Sequence, residues 1–167
     1  MDNHIVGLGD RHYRLAVCIG NRPPMPEYQG LHTLKPLQSG DITHIVESTG
    51  NHWRKIFNIY AKLMFLIAQR GQPTWQAYRD HVLLQQGCGH TLIFSPLNTL
   101  PAASDTILIV SGKSYAQTLG VLDTSVDVGD GFYLNTAKKI IIAPYFDYRQ
   151  LSNRKLDMLI SIINSEL

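Results

Sequence analysis

The apolar positions of this chain follow two periods. Four short segments are apolar almost without interruption: Tyr13 to Gly20, His90 to Ser95, Thr106 to Val110 and Lys139 to Ala143. Each is bounded by Pro, Gly or polar residues, which predicts strands buried on both faces. Elsewhere the apolar residues recur at helical spacing. Trp53, Ile56, Phe57, Tyr60, Leu63, Met64 and Ile67 predict a long helix over 51–70 that stops at Gly71, and Phe65 and Leu66 widen its apolar face. Pro73 suits the start of a second helix, with Trp75, Tyr78 and Val82 on one side until Gly87. Ser39 is expected to cap a short helix through Glu47, with Asp41 in its first turn. Ser152 or Asn153 is expected to cap a final helix carrying Leu156, Leu159, Ile160 and Ile163.

The remainder reads as connection. Residues 1–12 are expected to be irregular. Pro23, Pro24, Pro26 and Pro36 punctuate a long loop up to Gln38. Residues 121–137 are acidic and Gly-containing, with a weak element at Phe132 to Leu134. Strands alternating with helices predict a single α/β domain over 1–167. The expected architecture is three-layer α/β/α with a four-stranded, mainly parallel sheet.

Composition narrows the function classes only slightly. The chain has 167 residues, 44% hydrophobic and 17% charged, with a net charge of +2. That balance permits contact with nucleic acid without demanding it. Two cysteines, Cys18 and Cys88, give no disulfide framework. The N-terminal MDNHIVGLGDRHYR has no apolar core of a signal peptide, and no run is long enough to span a membrane, so a cytoplasmic protein is expected.

Several apparent motifs fail on inspection. Gly112-Lys113-Ser114 resembles the end of a phosphate-binding loop, but Ile107 stands where that motif needs its first Gly. Cys88-Gly89-His90 lacks a second ligand pair, so no metal is expected, and no cofactor motif is present. The seven histidines are scattered, with core or solvated roles as the default.

What remains is convergence. In an open parallel sheet ligands bind outside the carboxyl ends of the strands. The four predicted strands end at Asn21-Arg22-Pro23-Pro24, Ser95-Pro96-Leu97-Asn98, Ser111-Gly112-Lys113-Ser114 and Pro144 to Arg149. Each end carries polar residues beside Pro or Gly. Ordinary turn chemistry explains any one of them, whereas four alike point to a shared pocket.

The order of these pieces resembles the uracil-DNA glycosylase superfamily. Ile19-Gly20-Asn21-Arg22-Pro23 is similar to the Gly-x-Asn-Pro form of that family's first motif, with one residue inserted. Phe94 to Leu100 resembles its Leu-, Asn- and Thr-rich segment, and Val110 to Gln117 resembles its strand running into Gly-x-x-Ala. Ala143 to Ser152 occupies the place of its His-Pro-Ser-type loop. The resemblance spans roughly 14–153 in order. It departs from the family in having no Asp at the first motif, which leaves Asn21 to position water. It also has Pro144-Tyr145 where the family often has His-Pro, so the usual electrophilic His is missing.

That resemblance implies a nucleic acid or nucleotide as partner. A flipped base needs an aromatic face and an amide to read its edge: Tyr145, Phe146 or Tyr148 for the face, Asn21 or Asn98 for the amide. Arg149 or Lys113 would stabilise charge on a departing base. Asn21, Asp147 and Arg149 are thus the candidate catalytic residues. Arg22, Asn98, Ser111, Lys113, Ser114, Tyr145 and Tyr148 are the candidate ligand contacts. The competing readings are that the aromatics pack the last helix onto the sheet and that Asp147 and Arg149 form a local salt bridge. At the level of function, the alternatives are a catalytically silent module that binds a small anion or a protein, and an unrelated hydrolase or transferase. The last would use Asp147 as base, with a raised pKa and an enclosed pocket.

Overall fold

The computed structural model describes residues 5–94 and 105–166. All four expected strands form: β2 (Leu15–Cys18), β4 (His90–Ile93), β5 (Ile107–Ser111) and β8 (Ile140–Ala143). They lie side by side and parallel in the order β4-β2-β5-β8. Every residue of β2, β4 and β8 is buried, as the unbroken apolar runs require.

The sheet itself has eight strands rather than four. β1 (Gly7–Gly9) pairs antiparallel with β4, so the stretch expected to be irregular supplies a strand. Two of its three residues are Gly, which strand patterning disfavours, so the sequence carries no strand signal there. The close approach explains them: a Cβ on Gly7 would lie 2.1 Å from the Leu92 carbonyl oxygen. β3 (Leu34–Lys35) lies beyond β1, and β6 (Val126–Gly129) and β7 (Phe132–Asn135) extend the other edge as an antiparallel hairpin on β8. The proline-punctuated loop also contains a short helix, α1 (Pro26–Gln29).

Side chains alternate across the central strands into two clusters. Leu15, Val17, Leu92, Ile109, Ile141 and Ala143 face the larger one, with side chains from α2 (Asp41–Thr49), α3 (Asn51–Ile67), α4 (Trp75–His81) and α6 (Asn153–Glu166). Ala16, Cys18, Ile93, Val110, Ile140 and Ile142 face the smaller, with α5 (Lys113–Thr118) and the segment to Leu122. Helices therefore cover both faces, unequally.

Helix termini correct two expectations. Ser39 does not cap α2. Gly40 holds that position, Asp41 accepts from the Gln38 amide at 2.8 Å, and the Ser39 hydroxyl turns to the Asp80 carbonyl. α3 ends at Ile67, before Gly71, with Ala68 already extended. α4 has a side-chain cap, the Thr74 hydroxyl accepting from Ala77 N at 3.1 Å. No helix among the described residues is long and apolar enough to cross a membrane.

Candidate functional site

The strand order dictates where to look. The chain leaves β2 for helices on the larger-cluster face and leaves β5 for α5 on the other face. Adjacent parallel strands whose connections depart to opposite faces leave a crevice at their carboxyl ends. The strand ends that flank this point are Gly20 and Asn21 after β2 and Ser111, Gly112 and Lys113 at the close of β5. The loop after β8 lies alongside.

Three residues from three elements meet there. The Tyr145 hydroxyl donates to Asn21 Oδ1 at 3.3 Å and lies 2.8 Å from His52 Nε2. Tyrosine has one hydroxyl proton. With that proton given to Asn21, the His52 contact requires Nε2–H as donor. The order is therefore His52 to Tyr145 to Asn21, and the two N–H bonds of the Asn21 amide have no partner among the described residues. The His52 and Tyr145 rings are near-parallel, 18° apart with centroids 5.9 Å apart. Burial pushes the Tyr145 phenol up, its bond to Asn21 opposes this, and the nearby Asp147 carboxylate adds to it.

Two glycines shape the crevice. A Cβ on Gly112 would sit 3.3 Å from the Tyr145 ring, and at φ of 95° that residue adopts a backbone few side chains tolerate. A Cβ on Gly20 would come within 2.9 Å of the Tyr115 ring. Both aromatic rings thus rest against backbone.

The remaining predicted residues divide clearly. Asp147 is ion-paired to Lys55 at 3.5 Å and accepts the Arg149 backbone amide at 2.9 Å, so its partner is not the Arg149 side chain. That amide bond is the main reason the carboxyl lies below its ordinary range; burial opposes it, and the charges of Lys55 and Arg149 add to the lowering. Tyr148 is exposed, with Lys55 Nζ 5.2 Å and the Arg149 guanidinium 5.9 Å from its ring centroid. Lys113 is exposed over the Tyr133 ring, and Ser114 is exposed on α5 with its carbonyl taken by Thr118.

Two candidate ligand contacts have structural partners. One terminal nitrogen of Arg22, Nη1, donates to the carbonyls of Tyr28, Gln29 and Leu31 at 3.0–3.2 Å, closing the turn after α1, and the guanidinium lies 5.7 Å from the Phe94 ring centroid. Ser111 is buried, its hydroxyl accepting from Phe146 N at 3.1 Å. Phe146 is wholly buried edge-on to Tyr60, the packing role weighed for it. Asn98 and the segment from Ser95 lie outside the described residues.

His52 is the residue that sequence reasoning missed. An isolated histidine in a first helical turn carries no signal. The sequence does not say which end of α3 meets the strand ends, because α2 intervenes before it. α3 runs with its amino end toward Tyr145, and Gly50, Asn51 and His52 supply neither an acidic residue nor a side-chain cap there.

Residues 6–164 match the family of unknown function DUF6942. The chain belongs to that family. No curated protein and no solved structure matches the DUF6942 chain.

Proposed function

We propose that this DUF6942 protein is a three-layer α/β/α domain, glycosylase-like in architecture, that binds a nucleobase or nucleotide in the crevice between β2 and β5. Tyr145 would supply the stacking face, and the Asn21 N–H pair, unpartnered among the described residues, would read a carbonyl edge such as that of uracil. One observation carries this reading. The His52–Tyr145–Asn21 hydrogen-bond chain fixes an aromatic ring and an amide together at the position where ligands of such sheets bind. The cations of Lys55 and Arg149 beside the exposed Tyr148 ring suit an attached phosphate.

The same geometry favours binding over hydrolysis. A hydrolase using Asp147 as base needs a raised carboxyl pKa, and this one is lowered. Asn21 Oδ1 accepts from Tyr145 and keeps one lone pair, so it could still hold a water, but no carboxylate among the described residues stands beside it to take that water's proton. A catalytically silent nucleotide-binding module is therefore the second reading. The test is a salt-titrated binding assay with uridine monophosphate, single-stranded DNA and uracil-containing duplex, followed by base release on whatever binds. Binding lost in Asn21→Ala and Tyr145→Ala, with both variants folded, supports the site. Base release would make it an enzyme. No binding to any probe at low salt would end the nucleotide reading.

A further inference from the structure

A second recess lies at the opposite end of the sheet. The turn before β2 and the turn before β4 are tied together, with Arg14 N donating to Gly89 O at 2.9 Å and Asp10 N to His90 O at 3.1 Å. Beside them the chain before α2 is bridged to the segment after α4, Leu37 N donating to Leu84 O at 2.8 Å. Between these walls is a cleft of about 600 Å³. That is within the size range of small-molecule sites. Its walls are unusually polar: Asp10, Arg11, Gln38, Gln85 and Gln86 all contribute.

Asp10 and Arg11 are sequence neighbours of opposite charge, yet they form no ion pair among the described residues. Asp10 is 4% exposed, and its two oxygens accept one backbone amide each, from His12 at 3.0 Å and Gly89 at 2.8 Å. Each oxygen retains capacity for a further donor. Arg11 donates through Nε to the Leu34 carbonyl at 3.2 Å, and its two terminal nitrogens have no protein partner among the described residues. The cleft therefore holds one buried carboxylate and one exposed guanidinium anchored through Nε, each with hydrogen-bonding capacity left over. A purely anionic or purely cationic ligand would meet a like charge. A ligand carrying both charges meets complementary partners.

We propose that this cleft binds a zwitterionic small molecule, a free α-amino acid. Its carboxylate pairs with the Arg11 terminal nitrogens and its ammonium with Asp10, while its side chain lies among the glutamine amides. This site is independent of the nucleotide reading, because the two sit at opposite ends of the strands. The test screens the free L-amino acids against the whole chain by thermal shift and amide chemical shifts. At least one should give saturable binding with shifts at residues 10–12 and 85–89. Its N-acetyl derivative and its methyl ester, each lacking one charge, should bind at least about tenfold more weakly. Arg11→Met should abolish binding and Arg11→Lys should retain part of it; if Arg11→Met does not fold, Gln86→Ala, on an exposed side chain, should still weaken it. The proposal is overturned by no saturable binding at about 10 mM, far weaker than a specific site. Equal binding of both derivatives, or shifts confined to the Asn21 and Tyr145 region, would overturn it as well.

Discussion

Single atoms decide most of what the crevice can do. Tyr145→Phe removes one hydroxyl and with it both contacts, to His52 and to Asn21. Because the ring is only half-buried, the expected stability cost is about 1 kcal/mol. Ligand affinity should fall by more than that, since Asn21 loses the partner that orients it; parallel urea titration and binding measurements would show the split. Gly112→Ala should cost about 1–2 kcal/mol through its positive φ and displace the Tyr145 ring. Ser111→Ala should cost about 1–3 kcal/mol by leaving a buried Phe146 amide unpaired, read as a lower urea midpoint. His90 gives the pH dependence. Its Nε2 accepts from Leu84 N, its Nδ1 has no partner among the described residues, and burial pushes the imidazole from 6.5 down to about 4. Between those values the unfolded chain takes up a proton that the native chain refuses, so stability falls as pH drops. The loss should be about 2 kcal/mol between roughly pH 7.5 and pH 5, and His90→Gln should flatten that difference. The chemistry of these residues was legible in the sequence, but their partners were not. Asn21 and Tyr145 lie 124 positions apart, and Arg22 looked as available as Asn21 until its guanidinium was found on three carbonyls.

Elements with strong patterns formed where expected, and elements held by their neighbours did not announce themselves. α3 carries seven apolar residues at helical spacing and buries Trp53, Ile56, Phe57, Tyr60 and Leu63 against the sheet. Phe57→Ala should therefore cost about 3–5 kcal/mol. β1 and β3, by contrast, are two or three residues long and owe their extended form to hydrogen bonds from β4 and from each other. The caps make a sharper comparison. Thr74→Ala should destabilise by about 1 kcal/mol because its hydroxyl holds Ala77 N. Ser39→Ala should change little, although the sequence reads Ser39 as a helix cap, because that hydroxyl serves the Asp80 carbonyl instead. Denaturation of the two variants side by side separates these roles.

At the scale of the molecule, the sheet has a protected centre and weaker margins. β4, β2, β5 and β8 are covered on both faces, whereas every residue of the edge strand β6 is exposed, Val126 and Val128 included. Amide exchange should be slowest in the four central strands and fastest in β6 and β3. Exchange as slow in β6 as in β2 would mean that the edge is covered in solution. The crevice at the carboxyl ends and the cleft at the amino ends both lie outside this stable centre, where side chains are free to serve a ligand.

The sequence by itself determined the four buried strands, the central helix and the α/β class, and it pointed to the carboxyl ends of the strands as the place to expect a ligand. These follow from local periodicity and from the rule that parallel strands bind at their carboxyl ends. Tertiary structure alone decided the strand order, the four additional strands, the direction of α3 that brings His52 to Tyr145, and the pairing of Asp147 with Lys55. The physical reason is the same in each case. A hydrophobic period records which face of an element is buried, but a hydrogen bond between distant residues depends on where whole elements come to rest.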